Sequence, residues 1–203
     1  MMQKDKKNLM TMPEIKAASQ TDLDCCVDAI VLAFSTDPCV RWMYSDPHQY
    51  LENMPHFVRA FGGRAFASGT AHYLDRFAGV SLWLPPGVHP DEEKLMSLVQ
   101  NSVAQSQQEN VLAIFERMAS YHPSEPHYYL PLIGVDPKWQ NRGFGSMLLK
   151  YALFNCDYQK LPVYLEATNP NNVRLYERYG FEVIGTIQVG TSPPCFPMLC
   201  QPQ

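Results

Sequence analysis

The chain has 203 residues, 46% of them hydrophobic and 18% charged, with a formal net charge of −4. That length suits one globular domain, and the acidic balance lacks the clustered Lys and Arg with which proteins neutralise nucleic-acid phosphates. No apolar run approaches the ~18 residues of a membrane-spanning helix, and the polar, basic segment 1–12 reads as a disordered start rather than a leader.

In chain order, Thr21-Asp22 offers a helix cap, and Leu23, Cys26, Val27, Ile30, Val31 and Phe34 follow at helical spacing until Asp37-Pro38 closes the run. The aromatic-rich stretch from Pro47 to Phe66 predicts a second helix. Thr70–Asp75 and Gly79–Leu84 predict a hairpin, stopped by Pro85-Pro86-Gly87. Asp91-Glu92-Glu93 opens a helix through Leu95, Leu98, Val99 and Val103, and a further helical piece runs from Val111 to Met118. After the Pro-containing loop Tyr121–Pro126 the expected order is strand, Gly-containing turn, helix, strand, helix, strand, strand.

Six cysteines stand at irregular spacings without a CxxC pair, which predicts reduced thiols and a cytoplasmic setting. Cys156, inside a helix without a recognisable His partner, reads as a buried structural thiol. His122 and His127 flank Glu125 but lack metal-ligand spacing, so no metal is assigned.

The chemistry concentrates after residue 127. The apolar run 128–136 ends at Asp136-Pro137; then come Gln140-Asn141-Arg142-Gly143-Phe144-Gly145-Ser146, and Phe144, Met147, Leu148, Tyr151 and Ala152 continue as a helix. A helix N-terminus presents unpaired N–H groups and the positive end of its dipole, and glycines let an anion come close. The dinucleotide fingerprint is excluded by Leu148 at its third glycine position, and a nucleoside-triphosphate loop by the lack of a lysine after Gly143. Taken alone, the turn is equally a helix start with two permissive glycines. Pro131, which cannot donate to a sheet ladder, marks a bulge or an edge in the strand.

Further on, Val163–Ala167 predicts a strand. Asn169 suits a helix cap, Pro170 the first helical position and Gly180 the left-handed position beyond the end. Asn172 and Tyr176, one turn apart, share a face, although a buried Tyr there also fits plain core.

The segments VDPKWQNRGFGSMLL and NPNNVRLYERYGF together resemble the two signatures of the GNAT acetyltransferase superfamily, over about residues 127 to 190. That resemblance implies an α/β fold (α+β by some schemes): a mixed central sheet of six to seven strands flanked by helices, with a splayed, bulged central strand. It implies one domain over 1–203, with 13–126 on the acceptor side and 127–200 binding acetyl-CoA as co-substrate. The pyrophosphate would sit on Gln140, Asn141, Arg142, Gly143, Phe144, Gly145 and Ser146, and the pantetheine arm on Asn172 and the freed backbone of Ile133 and Val135. Tyr176 would be the acid for the leaving thiolate. Glu166, near its strand's C-terminal end, is the favoured base, with His127, Tyr128 or a water relay as alternatives.

Within the superfamily, Leu165-Glu166-Ala167 before Asn172-Val173-Arg174-Leu175-Tyr176-Glu177-Arg178, and the Trp83-Leu84-Pro85-Pro86-Gly87 turn, resemble a branch that includes puromycin N-acetyltransferase. The implied activity is acetyl transfer to a primary amine of a small molecule; the alternative is a catalytically silent acyl-CoA-binding or regulatory module. The expected acceptor walls are Phe34, Trp42, Tyr44, Phe57, Phe61, the Trp83 turn and the hairpin around Thr191 to Phe196. Neither nucleic acid nor membrane is expected as a partner, and a homodimer is left open.

Overall fold

The computed structural model describes residues 13–202, so the expected disordered start lies outside the described residues. Strand β1 (Ile15–Ala17) leads into α1 (Leu23–Ala33), α2 (Pro38–Met43), α3 (Pro47–Gly62) and α4 (Arg64–Ala67). The hairpin β2 (Ala71–Leu74) and β3 (Gly79–Leu84) is followed by α5 (Glu92–Ser102) and α6 (Gln105–Tyr121). The second part runs β4 (Tyr128–Val135), α7 (Phe144–Gln159), β5 (Val163–Ala167), α8 (Pro170–Glu177), β6 (Phe181–Val183) and β7 (Phe196–Cys200).

Several boundaries differ from the sequence reading for local reasons. Asp22 is the residue before α1, as expected, but its carboxylate turns back to Ser19, whose N–H and hydroxyl both donate to Oδ2 at 2.8 and 2.7 Å. Asp37-Pro38 does more than end α1: Asp37 Oδ1 accepts from the N–H groups of Cys39 and Val40, and Pro38 takes the first position of α2, where its missing N–H costs nothing. The helix expected over Pro47 to Phe66, with its end near Gly62-Gly63 or Gly69, ends at Gly62 as α3, and the short α4 follows after Gly63.

The sheet has seven strands in the order β1-β2-β3-β4-β5-β7-β6, antiparallel except between β4 and β5. One face packs on α1, α3, α5 and α6 through Ile30, Phe57, Val58, Leu95 and Val111. The other packs on α7 and α8 through Leu149, Leu153, Cys156 and Tyr176.

Side chains along β4 show where its regular alternation fails. Tyr129 and Leu132 join the α1/α3 cluster, while Tyr128 and Leu130 join the α7/α8 cluster. Residues on one face of a strand are two apart, so the three-residue step from 129 to 132 contains an extra residue. The register agrees: Leu82 faces Leu132, but Leu84 faces Tyr129. The bulge falls at Leu130-Pro131, where proline's missing N–H removes a ladder donor. Ahead of it β4 and β5 pair at Tyr128↔Val163 and Tyr129↔Tyr164, and from the bulge onward they part. Gly134 lets the end of α1 lie against the opened strand, since a Cβ there would stand 2.6 Å from that of Ala33.

Candidate active site

The gap between β4 and β5 is a cleft of about 600 Å³, within the range of small-molecule and cofactor sites. Ile133 and Val135 border it from β4. Gln140, Asn141, Gly143, Phe144, Gly145 and Ser146 border it from the turn into α7, and Asn172 and Tyr176 from α8. Arg142 is the exception: it is absent from the cleft wall, and its guanidinium lies over the Trp139 ring at 4.8 Å.

The turn is shaped by two left-handed residues, Asn141 at φ 60° and Gly143 at φ 81°. Gly143 is the residue before the first turn of α7, and a Cβ added there would meet nothing within 4 Å, so the space above it is open. The first N–H groups of this 16-residue helix therefore face open space at the positive end of its dipole. An anionic group fits this cradle. Gln140 turns inward, its Nε2 donating to the Val135 carbonyl at 3.1 Å. One acceptor of the opened strand is thus already held by the protein.

Tyr176 is 6% exposed, its ring edge-on to Phe181. Burial, then the negative charge of Asp37, pushes its hydroxyl well above the usual tyrosine range, so it holds its proton. Asp37 is a member of the cleft wall that sequence reasoning had assigned only to ending a helix. It is 7% exposed, accepts from the Thr168 hydroxyl at 2.6 Å, and is pushed up mainly by burial. No local signal separates such a residue from an ordinary cap; only the fold brings it beside Thr168 and α8.

Glu166 borders the cleft from β5, but its carboxylate turns to the α1/α3 face, as the two-residue period from Tyr164 requires. The Tyr129 hydroxyl donates to Oε2 at 2.8 Å, and the Tyr164 hydroxyl also bears on the carboxyl. With 2% of the side chain exposed, burial outweighs both donors and pushes the carboxyl up to about 7. Its Oε1 is buried without a hydrogen-bond partner among the described residues, and His122 Nε2 stands 3.8 Å away.

His127, an alternative base, lies outside the cleft. Its Nε2 is 3.0 Å from His122 Nδ1, and both rings line a second cavity of about 450 Å³. Tyr128, the other alternative, is buried on the α7 side, its hydroxyl bonded with the Gln159 amide.

The expected acceptor walls are mostly core. Phe34 does border the cleft, and Trp42 Nε1 donates to Thr191 at 3.2 Å. Tyr44, Phe57, Phe61 and Trp83 are all under 9% exposed, packed inside the two clusters because rings of that area are buried wherever the sheet has a face to cover.

All six cysteines are unpaired, and burial pushes Cys156 up to about 12. Among the described residues no group of three or more His, Cys, Asp or Glu side chains is placed to hold a metal ion, and no helix is long and apolar enough to cross a membrane.

Residues 102–183 match the family model described as the acetyltransferase (GNAT) domain. An uncharacterized N-acetyltransferase of Schizosaccharomyces pombe is 25% identical over 180 residues, 82% of this chain and 73% of that one. A mycothiol acetyltransferase of Acidothermus cellulolyticus is 39% identical over 71 residues, 34% of this chain and 22% of that protein. Among solved structures, one described as histone acetyltransferase HPA2 and related acetyltransferase from Corynebacterium glutamicum has a TM-score of 0.67 at 24% identity, over 95% of this chain and 98% of that one. The sequence match thus falls on the residues that build the cleft, and the fold match extends over nearly the whole chain. The chain has the fold of the GNAT acetyltransferases, and its residues 102–183 match the model of that domain.

Proposed function

We propose that this protein is an acetyl-CoA-dependent N-acetyltransferase that moves the acetyl group directly from the thioester to a primary amine of a small molecule. The observation that carries this reading is the convergence on one cleft of the α7 cradle, the opened edge of β4 and the buried Tyr176. The α7 N-terminus would take the pyrophosphate, with Gly143 giving it room; Ile133, Val135 and Asn172 would hold the pantetheine arm. Arg142, stacked on Trp139, would act at the rim, where a guanidinium can still meet a phosphate.

The chain's own groups supply the rest of the chemistry. Free N–H groups of β4 beyond the bulge would face the developing oxyanion. Tyr176 would give its proton to the departing sulfur. Glu166, held near neutrality, is matched to taking a proton from an ammonium at physiological pH, directly or through one water. We place the protein in the branch resembling puromycin N-acetyltransferase, on the strand end Leu165-Glu166-Ala167 and the helix from Asn172 to Arg178. Its unpaired thiols suit a reducing, cytoplasmic setting.

A thiol-release assay with acetyl-CoA across a panel of amines, from short aliphatic amines to puromycin, tests the proposal. Release should depend on the amine. Tyr176→Phe should lower kcat by about a hundredfold with acetyl-CoA affinity kept within twofold. Binding of CoA by calorimetry without amine-dependent release from any member of the panel would make the protein an acyl-CoA-binding module instead.

A further inference from the structure

Glu166 has an outlet that does not lead through the cleft. Its Oε1 lacks a partner and faces His122 Nε2 at 3.8 Å; His122 Nδ1 is 3.0 Å from His127 Nε2; and His127 Nδ1 is 2.8 Å from the Glu125 carbonyl oxygen. That last contact fixes the others. A carbonyl only accepts, so His127 carries its hydrogen on Nδ1, and in the neutral ring Nε2 is bare. Nε2 must then accept from His122 Nδ1–H, which leaves His122 with a bare Nε2 turned toward the buried carboxyl. A proton arriving on Glu166 Oε1 has a bare acceptor 3.8 Å away, a gap that a small swing of either side chain closes to hydrogen-bond length.

The far end of this chain opens on a second cavity. His122 and His127 line the second cavity, with Pro85, Pro86 and His89 among its walls, and that cavity shares no lining residue with the cleft. We infer that His122 and His127 form a proton exit, carrying to the second cavity the proton that Glu166 takes from the acceptor ammonium. This inference rests on the N-acetyltransferase reading.

The proton count of amine acetylation requires such an exit. An ammonium and a thioester give an amide, a thiol and one proton: the N–C bond forms, the C–S bond breaks, and two N–H protons leave the nitrogen. One replaces the proton that Tyr176 gives to sulfur. The other, on Glu166, must reach solvent although the side chain is 2% exposed and the cleft is filled by both substrates. Glu166 passes it to His122 Nε2 as His122 Nδ1–H moves to His127 Nε2, and the His127 imidazolium sheds a proton to cavity water. His122 regains its starting tautomer when its ring turns to the cavity, gives the Nε2 proton to water and takes one on Nδ1.

The groups facing Glu166 are Tyr129 and Tyr164 from the strands, His122 from the end of α6, and Cys195 ahead of β7; His89 and His127 face His122. Burial first, then the two neighbouring histidines, holds His122 down at about 4. A proton there is disfavoured relative to Glu166 by on the order of a thousandfold. Proton hops are faster than turnover by a wider margin than that, so His122 is a point of transit and not a resting place.

The test uses the whole chain labelled with ¹⁵N-histidine. At neutral pH His122 should appear as the neutral Nδ1–H tautomer, His127 should carry a hydrogen on Nδ1, and Glu166→Gln should move the His122 Nε2 resonance. With whichever panel amine the wild type acetylates, His127→Ala should lower kcat by about tenfold or more. Its KM for acetyl-CoA should be unchanged, added imidazole should restore turnover, and Ser124→Ala, in the same cavity but outside the chain of contacts, should behave as wild type. An Nε2–H tautomer at His122, or a kcat for His127→Ala within twofold of wild type, overturns the exit. His127→Asn replaces His127→Ala if the latter does not fold. Failure of the N-acetyltransferase reading is distinct, because it silences the wild type as well and takes proton export with it, while failure of the exit leaves wild type active.

Discussion

Replacing Glu166 by glutamine should make the protein more stable at neutral pH while removing its proposed base. The carboxyl is pushed from 4.5 up to about 7 by burial, with 2% of its side chain exposed. Its folded pKa lies above its unfolded one, so between pH 4.5 and about 7 the native state binds more protons than the unfolded chain. Stability therefore falls as pH rises through that window; the penalty is absent below it and constant above it. A shift of that size corresponds to about 3 kcal/mol. Glutamine cannot ionise. Its carbonyl can accept from Tyr129 as Glu166 Oε2 does, and its amide faces the bare Nε2 of His122 at 3.8 Å, a distance that a shift of about 1 Å closes to a hydrogen bond. One amide hydrogen left unpaired returns about 1 kcal/mol, leaving a net gain of about 2 kcal/mol at pH 8 and a net loss of up to about 1 kcal/mol at pH 4.5. For a domain of this size that is a rise of roughly 4–8 °C in Tm at pH 8. Thermal melts of both proteins by circular dichroism at pH 4.5, 6 and 8 measure the difference, in which groups common to both proteins cancel. A difference that does not change with pH, or a wild type as stable as the variant at pH 8, would refute the claim that this carboxyl is ionised at a cost.

Gly143→Ala should cost about 1–2 kcal/mol, the penalty of a left-handed residue with a Cβ, because no atom within 4 Å adds a clash. It should also weaken CoA binding by at least about tenfold in a calorimetric titration. Gly69→Ala is the control, with φ +68°, the same open surroundings and no place in the cleft; an equal loss of CoA affinity there would remove Gly143 from the cradle. Brief treatment with iodoacetamide at pH 8 should label Cys25, which is exposed, and spare Cys26, Cys39 and Cys156, which burial pushes up to about 12. Peptide mapping that finds Cys156 labelled as fast as Cys25 would contradict its buried place beneath α7.

What the sequence made legible was whatever is decided within a few neighbouring residues. The turn at Gly143, the proline-entered helix α8 and its left-handed end at Gly180, and the bulge at Pro131 each follow from one residue's backbone limits, and each stands where it was expected. So does the order of elements after residue 127. The directions of buried polar side chains were not legible, because they depend on which strands become neighbours. Glu166 could be named from its place at a strand end, yet nothing near it in sequence says that Tyr129, 37 residues earlier, and His122 would enclose it. Asp37 looked like punctuation until the fold set it against Thr168, 131 residues away. The acceptor walls were not legible for the converse reason: ring count locates apolar area but not which rings the sheet will cover, and Tyr44, Phe57, Phe61 and Trp83 are covered, as most such rings are in a fold of this size. The cradle is thus a local property of this chain and the environment of its buried carboxyl a tertiary one. Substitutions in α6 or the loop before β4 should consequently change proton handling at Glu166 without touching the residues that would hold the CoA moiety.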